Sequence, residues 1–168
     1  VIVGLNSARR AGLSPDWSRG RLSLKQIDFA AAGMRAAPRA ARKIIALHHP
    51  ILPGPGRAGV NIVARARTAL AAFAAAKTDL ILTGHVHVAE AGVYSAEGAS
   101  MIIARAGTAT STRLRGEAPS YNLICGDNTN ITITISRFAG TGYTVAARRR
   151  FVKEHGCWRE TPPALDEA

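Results

Sequence analysis

Gly84-His85-Val86-His87 is the segment whose residue types and spacing speak most directly of chemistry. In an extended chain, residues two apart point to one side. Both imidazoles can then face a single metal or straddle a pair, and neutral imidazole is a good donor to divalent first-row metals. Gly84 is expected to let the chain leave a strand sharply, with no side chain in the way. With 16 glycines and five histidines in 168 residues, the chance expectation for Gly-His-x-His is roughly 0.014. His48-His49-Pro50 is the second candidate. A single histidine at a strand end is more often a hydrogen-bonded structural residue than a ligand, so this pair gains its weight from where the fold puts it. His48 is the stronger ligand candidate and His49 the weaker.

The elements around these motifs place them. Val1–Leu5 reads as a buried strand, and Lys43–Leu47 and Asp79–Thr83 as short apolar strands. Between them lie two helical patterns. Ser23-Leu24-Lys25-Gln26 is a capping box, followed by an apolar stripe of Leu24, Ile27, Ala31 and Met34 that closes near Pro38. Asn61 can cap a second helix with the face Val63, Ala66, Leu70 and Phe73. Strand–helix–strand–helix–strand implies parallel strands covered on both faces and joined by right-handed crossovers. Parallel strands put their carboxyl ends on one edge, where open α/β sheets bind ligands. Asn6, His48-His49 and His85-Val86-His87 all fall just past those ends, so the histidines converge.

Beyond residue 90 the pattern changes to antiparallel strands: Ala91–Ser95, Ser100–Arg105, Tyr121–Cys125 and Ile131–Phe138, the last pair joined across Gly126-Asp127-Asn128. Ile131, Ile133 and Ile135 alternate with Thr132, Thr134 and Ser136, as in a half-buried strand. Tyr143–Arg149 reads as a final edge strand, with Arg148-Arg149-Arg150 as a charged rim that discourages strand addition. Residues 153–168 read as a frayed tail.

Composition excludes several classes. Hydrophobic residues at 47% and charged residues at 20% fit a folded domain rather than a disordered tail. No apolar run reaches the length of a membrane span, and no basic-then-apolar leader is present. Cys125 and Cys157 cannot build a disulfide framework and lack zinc-knuckle spacing, so a reducing cytoplasm is the expected compartment. The net charge of +11 is consistent with an arginine-rich coding bias, or with a surface that attracts phosphate esters, nucleotides or nucleic acid. Opening at Val1 inside an apolar run, the chain is expected to start part-way through its domain.

His-x-Pro after one strand and Gly-His-x-His after the next, with Gly4-Leu5-Asn6-Ser7, Gln26 and Gly107-Thr108 around them, resembles the C-terminal half of the calcineurin-like metallophosphoesterases, in the branch that includes cyclic-nucleotide phosphodiesterases. The resemblance covers roughly residues 1–124. It implies the C-terminal part of a four-layer α/β/β/α sandwich, a parallel βαβαβ half followed by antiparallel strands, with 1–152 as a partial domain. It also implies two divalent metal ions (Mn, Fe or Zn), with His48 and His85 on one and His87 on the other. The implied reaction is hydrolysis of a phosphodiester or cyclic nucleotide by a metal-bound hydroxide.

The departures are large. The family's N-terminal motifs, Asp-x-His, Gly-Asp and Gly-Asn-His-Asp, are absent, and no aspartate here has their spacing or context. Catalytic residues and the bridging carboxylate are therefore expected upstream of this chain, which alone is expected to be inactive. Arg113 and Arg115, in the polar loop after Arg105, are candidates for binding substrate phosphate, since guanidinium forks match its oxygens; solvated loop arginines are the plain alternative. The competing function is a non-catalytic basic domain that binds anions or nucleic acid. With aromatics at 5%, stacking on single strands is disfavoured. A phosphate-ester small molecule is the expected partner.

Overall fold

The computed structural model describes residues 1–8, 20–53, 62–96, 98–110 and 116–162. Among these residues, nine strands and two helices run in the order β1 (Ile2–Leu5), α1 (Leu24–Ala36), β2 (Ile44–Leu47), α2 (Ala66–Ala75), β3 (Leu80–Thr83), β4 (Glu90–Ala96), β5 (Ala99–Arg105), β6 (Ser120–Gly126), β7 (Asn130–Phe138), β8 (Tyr143–Glu154) and β9 (Cys157–Thr161). They form two sheets, one ordered β1-β2-β3-β5-β4 and the other β6-β7-β8-β9. The first is parallel from β1 to β5, with β4 antiparallel at its edge; the second is antiparallel throughout.

The expected βαβαβ unit is present, and its parallel run is one strand longer than the pattern suggested. The β4–β5 hairpin folds back so that β5, not β4, inserts beside β3. Helix α1 begins at the predicted box: Ser23 Oγ accepts from Gln26 N while the Gln26 side chain accepts from Ser23 N. Its buried face is Ile27, Ala30, Ala31 and Met34; Leu24 lies 53% exposed, outside the expected stripe. Helix α2 starts later than its pattern implied, with Arg65 as N-cap and no side-chain cap. Asn61 falls outside the described residues.

The two helices cover one face of the first sheet, packing on Leu5, Ile45, Leu47, Ile81 and Met101. The second sheet covers the other face, where Ile131, Ile133, Phe151 and Trp158 meet Leu80, Ile102 and Ala104. The described layers are therefore helix, sheet, sheet. Coverage is uneven. β1 is an edge strand rather than a buried one, with Ile2 68% exposed.

The segment from Lys153, expected to fray, is strand through Thr161. β8 and β9 pair from Glu154↔Cys157 to Arg150↔Thr161 across a two-residue turn, His155-Gly156, with φ of 51° and 82°. Two positive φ angles define the turn whose twist suits a hairpin. Trp158, 2% exposed, anchors it: its indole N–H donates to Asp79 Oδ1 at 3.1 Å, and its carbonyl accepts from Ser100 Oγ at 3.0 Å. β8 is thus an interior strand. Arg150 sits in its ladder and Arg149 pairs with Glu160, so this triplet is not a bare charged rim.

Candidate metal and phosphoester site

The carboxyl ends of β1, β2 and β3 carry the site. Gly84 N donates to His48 O at 2.9 Å, continuing the pairing of β2 with β3 by one residue. That bond fixes His48 beside His85, although 37 positions separate them. His48 Nε2 and His85 Nδ1 lie 3.0 Å apart, with ring planes at 82°.

The Gly-His-x-His segment is not extended as its spacing suggested. His85 and His87 both have left-handed backbones, at φ 71° and 60°. Val86 N donates back to Gly84 O at 2.9 Å, which closes a tight three-residue turn with His85 at its centre. The sharp departure from β3 is therefore made by His85 itself. A Cβ on Gly84 would meet its nearest neighbour, His48 O, at an ordinary 3.8 Å. Left-handed backbone at a side-chain-bearing residue costs roughly 1–2 kcal/mol, and two such residues in one loop mark a place where geometry is held against local preference. Val86 between them is buried and serves as the loop's anchor.

His49 plays a different part from its neighbour. It is 5% exposed, its backbone N–H donates to Ser7 Oγ at 3.1 Å, and its ring Nδ1 is 2.9 Å from the same oxygen. Burial, and then the neighbouring His85 and His48, push its pKa down from 6.5 to about 4, so the ring is neutral across the physiological range. Ser7, at 1% exposure, is too enclosed to act as a nucleophile; the pair ties the end of β1 to the end of β2. Gly20 is required here, because a Cβ would fall 2.3 Å from His49 Cγ. The Asn6 carbonyl accepts from Gln26 Nε2 at 2.8 Å, fixing the first βα connection to α1.

One positioning residue had no clear mark in the sequence, and one glycine of the quoted motifs shows a steric reason. Arg105, 4% exposed at the end of β5, donates to Glu90 Oε2 at 3.0 Å and to the Leu52 carbonyl at 2.7 Å. It thereby pins the loop that follows His48-His49-Pro50. Gly107 packs against Ser120, whose Oγ would lie 2.0 Å from a Cβ there. An isolated arginine in an arginine-rich chain gives no warning of burial. Arg113 and Arg115 lie outside the described residues.

The donor set decides what metal chemistry is possible. Two neutral imidazole nitrogens on a tetrahedral ion, each about 2.0–2.1 Å from it, lie about 3.3 Å apart. The His48–His85 pair, hydrogen-bonded across 3.0 Å, is within a few tenths of an ångström of that spacing, and an ion held by both nitrogens would replace that bond. Two ions do not fit the described residues. No group of three His, Cys, Asp or Glu side chains able to hold a metal forms among them, and no described residue at this edge supplies a carboxylate bridge between two like charges.

No protein-family model matches the chain, and no curated protein does. Among solved structures it is similar to vacuolar protein sorting 29 from Cryptosporidium parvum, at 22% identity and a TM-score of 0.38, over 51% of this chain and 44% of that one. It is also similar to a single mutant of Vps29 from Entamoeba histolytica, at 15% identity and 0.38, covering 89% of this chain and 98% of that one. Wild-type Vps29 of the same organism, complexed with Zn²⁺, matches at 13% identity and 0.37 over the same shares. This chain thus spans less than half the length of the first of these structures. Likeness at this level assigns no function.

Proposed function

We propose that the chain carries the histidine half of a metal-dependent phosphoesterase site, acting on a phosphodiester or cyclic nucleotide. The observation that carries this reading is the 3.0 Å approach of His48 Nε2 to His85 Nδ1 across adjacent strand ends. In this reading His48 and His85 hold one divalent ion (Mn, Fe or Zn) and His87 contributes to a second. Carboxylate donors and the group that protonates the leaving alcohol come from outside the described residues. The chain through β9 belongs to a partial phosphoesterase domain of the four-layer kind, working in the cytoplasm, and this chain alone does not turn over substrate. Arg113 and Arg115 are proposed to meet substrate phosphate.

When bound, such ions lower the pKa of water and neutralise charge on the phosphoryl group. The chain's own part is positioning. The strained loop aims His85 and His87, Ser7 and the neutral His49 ring support the backbone behind His48, and Arg105 holds the loop beyond it. His49 stays uncharged and so adds no repulsion beside a cation.

The test is hydrolysis of an aryl phosphodiester with Mn²⁺ by the protein that carries this chain. His48→Ala and His85→Ala should each lower kcat by several orders of magnitude with the fold retained, and His87→Ala likewise. His49→Ala should cost less activity and more stability. Near-normal turnover and metal content in both His48→Ala and His85→Ala would overturn the reading.

A further inference from the structure

The amino end of the same parallel sheet holds a larger opening than the histidine edge. It is a cleft of about 680 Å³ between the ends of α1 and α2, the starts of β2 and β3, and the β8–β9 turn. That volume lies in the range of small-molecule sites. Arg35, Arg39, Lys43, Lys77, Lys153 and His155 line it, and Asp79 is its one carboxylate among the described residues.

Asp79 is already occupied. Its Oδ1 accepts from Lys153 Nζ at 2.6 Å and from the Trp158 indole, and its Oδ2 accepts from Lys43 N at 2.9 Å. Arg35, Arg39 and Lys77 make no ion pair among the described residues. Basic residues near helix ends ordinarily offset the helix dipole, and two helices end here. Each contributes only about −0.5 charge. Five Lys and Arg side chains set against Asp79 and both dipoles still leave the walls about three charges positive.

Two details go beyond generic basicity. Helix α2 closes with Lys77 N bonded to Ala74 O and Thr78 N to Phe73 O. This is the capping motif that favours glycine at the left-handed position, yet Lys77 stands there at φ 55°. Thr78 lines the cleft at 2% exposure, and its Oγ1 has no hydrogen-bond partner. A buried hydroxyl left unpaired costs about 1–3 kcal/mol.

We infer that this cleft binds a small polyphosphorylated molecule, at a site separate from the histidines and independent of their metal reading. Guanidinium forks and lysine point charges suit phosphate oxygens, and the opening is a pocket rather than the long track a nucleic acid needs.

The experiment is calorimetric titration with inorganic tripolyphosphate in EDTA at moderate salt. Arg35→Ala/Arg39→Ala/Lys77→Gly removes exposed charges, and its glycine suits the left-handed position, so the fold is retained. It should weaken Kd at least tenfold. Arg21→Ala/Lys25→Ala/Arg67→Ala, which removes equal charge elsewhere, should stay within twofold of the unsubstituted chain. Equal weakening in both triple variants, or no binding to the unsubstituted chain, would overturn the inference. So would tighter binding, per phosphate, of a short DNA duplex.

Discussion

The two ends of the parallel sheet gather side chains in opposite ways. At the carboxyl end, His48, His49 and His85 crowd together, with ring centroids 4.6–5.0 Å apart. At the amino end, five cations are spread around a cleft of about 680 Å³. Charge explains the difference. Two unit charges 4 Å apart repel by about 1 kcal/mol in water and about 4 kcal/mol at an effective dielectric of 20. Burial holds His49 neutral, so its ring can sit against the hydrogen-bonded His48–His85 pair without adding charge; in the proposed reading that pair receives a cation. The lysines and arginines must stand apart, which leaves an anion-sized gap. One sheet therefore offers two chemistries of opposite sign, and each can be disturbed without the other.

The largest expected effect falls on the amino end. Trp158→Ala removes the buried anchor that joins the β8–β9 hairpin to Asp79, and should cost about 3–5 kcal/mol in urea unfolding. If the variant still folds, tripolyphosphate binding should suffer while zinc affinity is retained; loss of both together would break the comparison. Gly20→Ala acts at the carboxyl end alone. The added Cβ must displace the His49 ring, at about 1–3 kcal/mol, with tripolyphosphate affinity unchanged. The smallest effect is on pH dependence. His49 titrates near 4 when folded and near 6.5 when exposed, so the unfolded chain takes up its proton first as pH falls. The stability of the metal-free protein should therefore decline between about pH 6.5 and 4. His49→Gln should reduce that slope; an unchanged slope would show that His49 is not held neutral by burial.

Much of the scaffold was legible because its signals are local. Ser23 and Gln26 announce a capping box, and Ile131, Ile133 and Ile135 alternate onto the core as written; all three are buried. The convergence of His48 with His85 followed from parallel strands alone. What failed depended on tertiary context. Gly84-His85-Val86-His87 has the spacing of an extended pair, yet Val86 takes the buried place and forces a tight turn. The hairpin at His155-Gly156 lacks the usual Asn-Gly signal, and Trp158 is held by Asp79, 79 positions away. Arg105 and Lys77 are ordinary letters in an arginine-rich, alanine-rich chain, and only the fold shows one buried and the other in a glycine's conformation.

Zinc binding by the metal-free chain is the most direct test of the claim that His48 and His85 form a metal-binding pair. Equilibrium dialysis at pH 7.5 should give at most one weakly held ion per chain, with that binding lost in either His48→Ala or His85→Ala and unchanged in Arg35→Ala/Arg39→Ala/Lys77→Gly. Undiminished zinc affinity in both histidine variants would contradict the account.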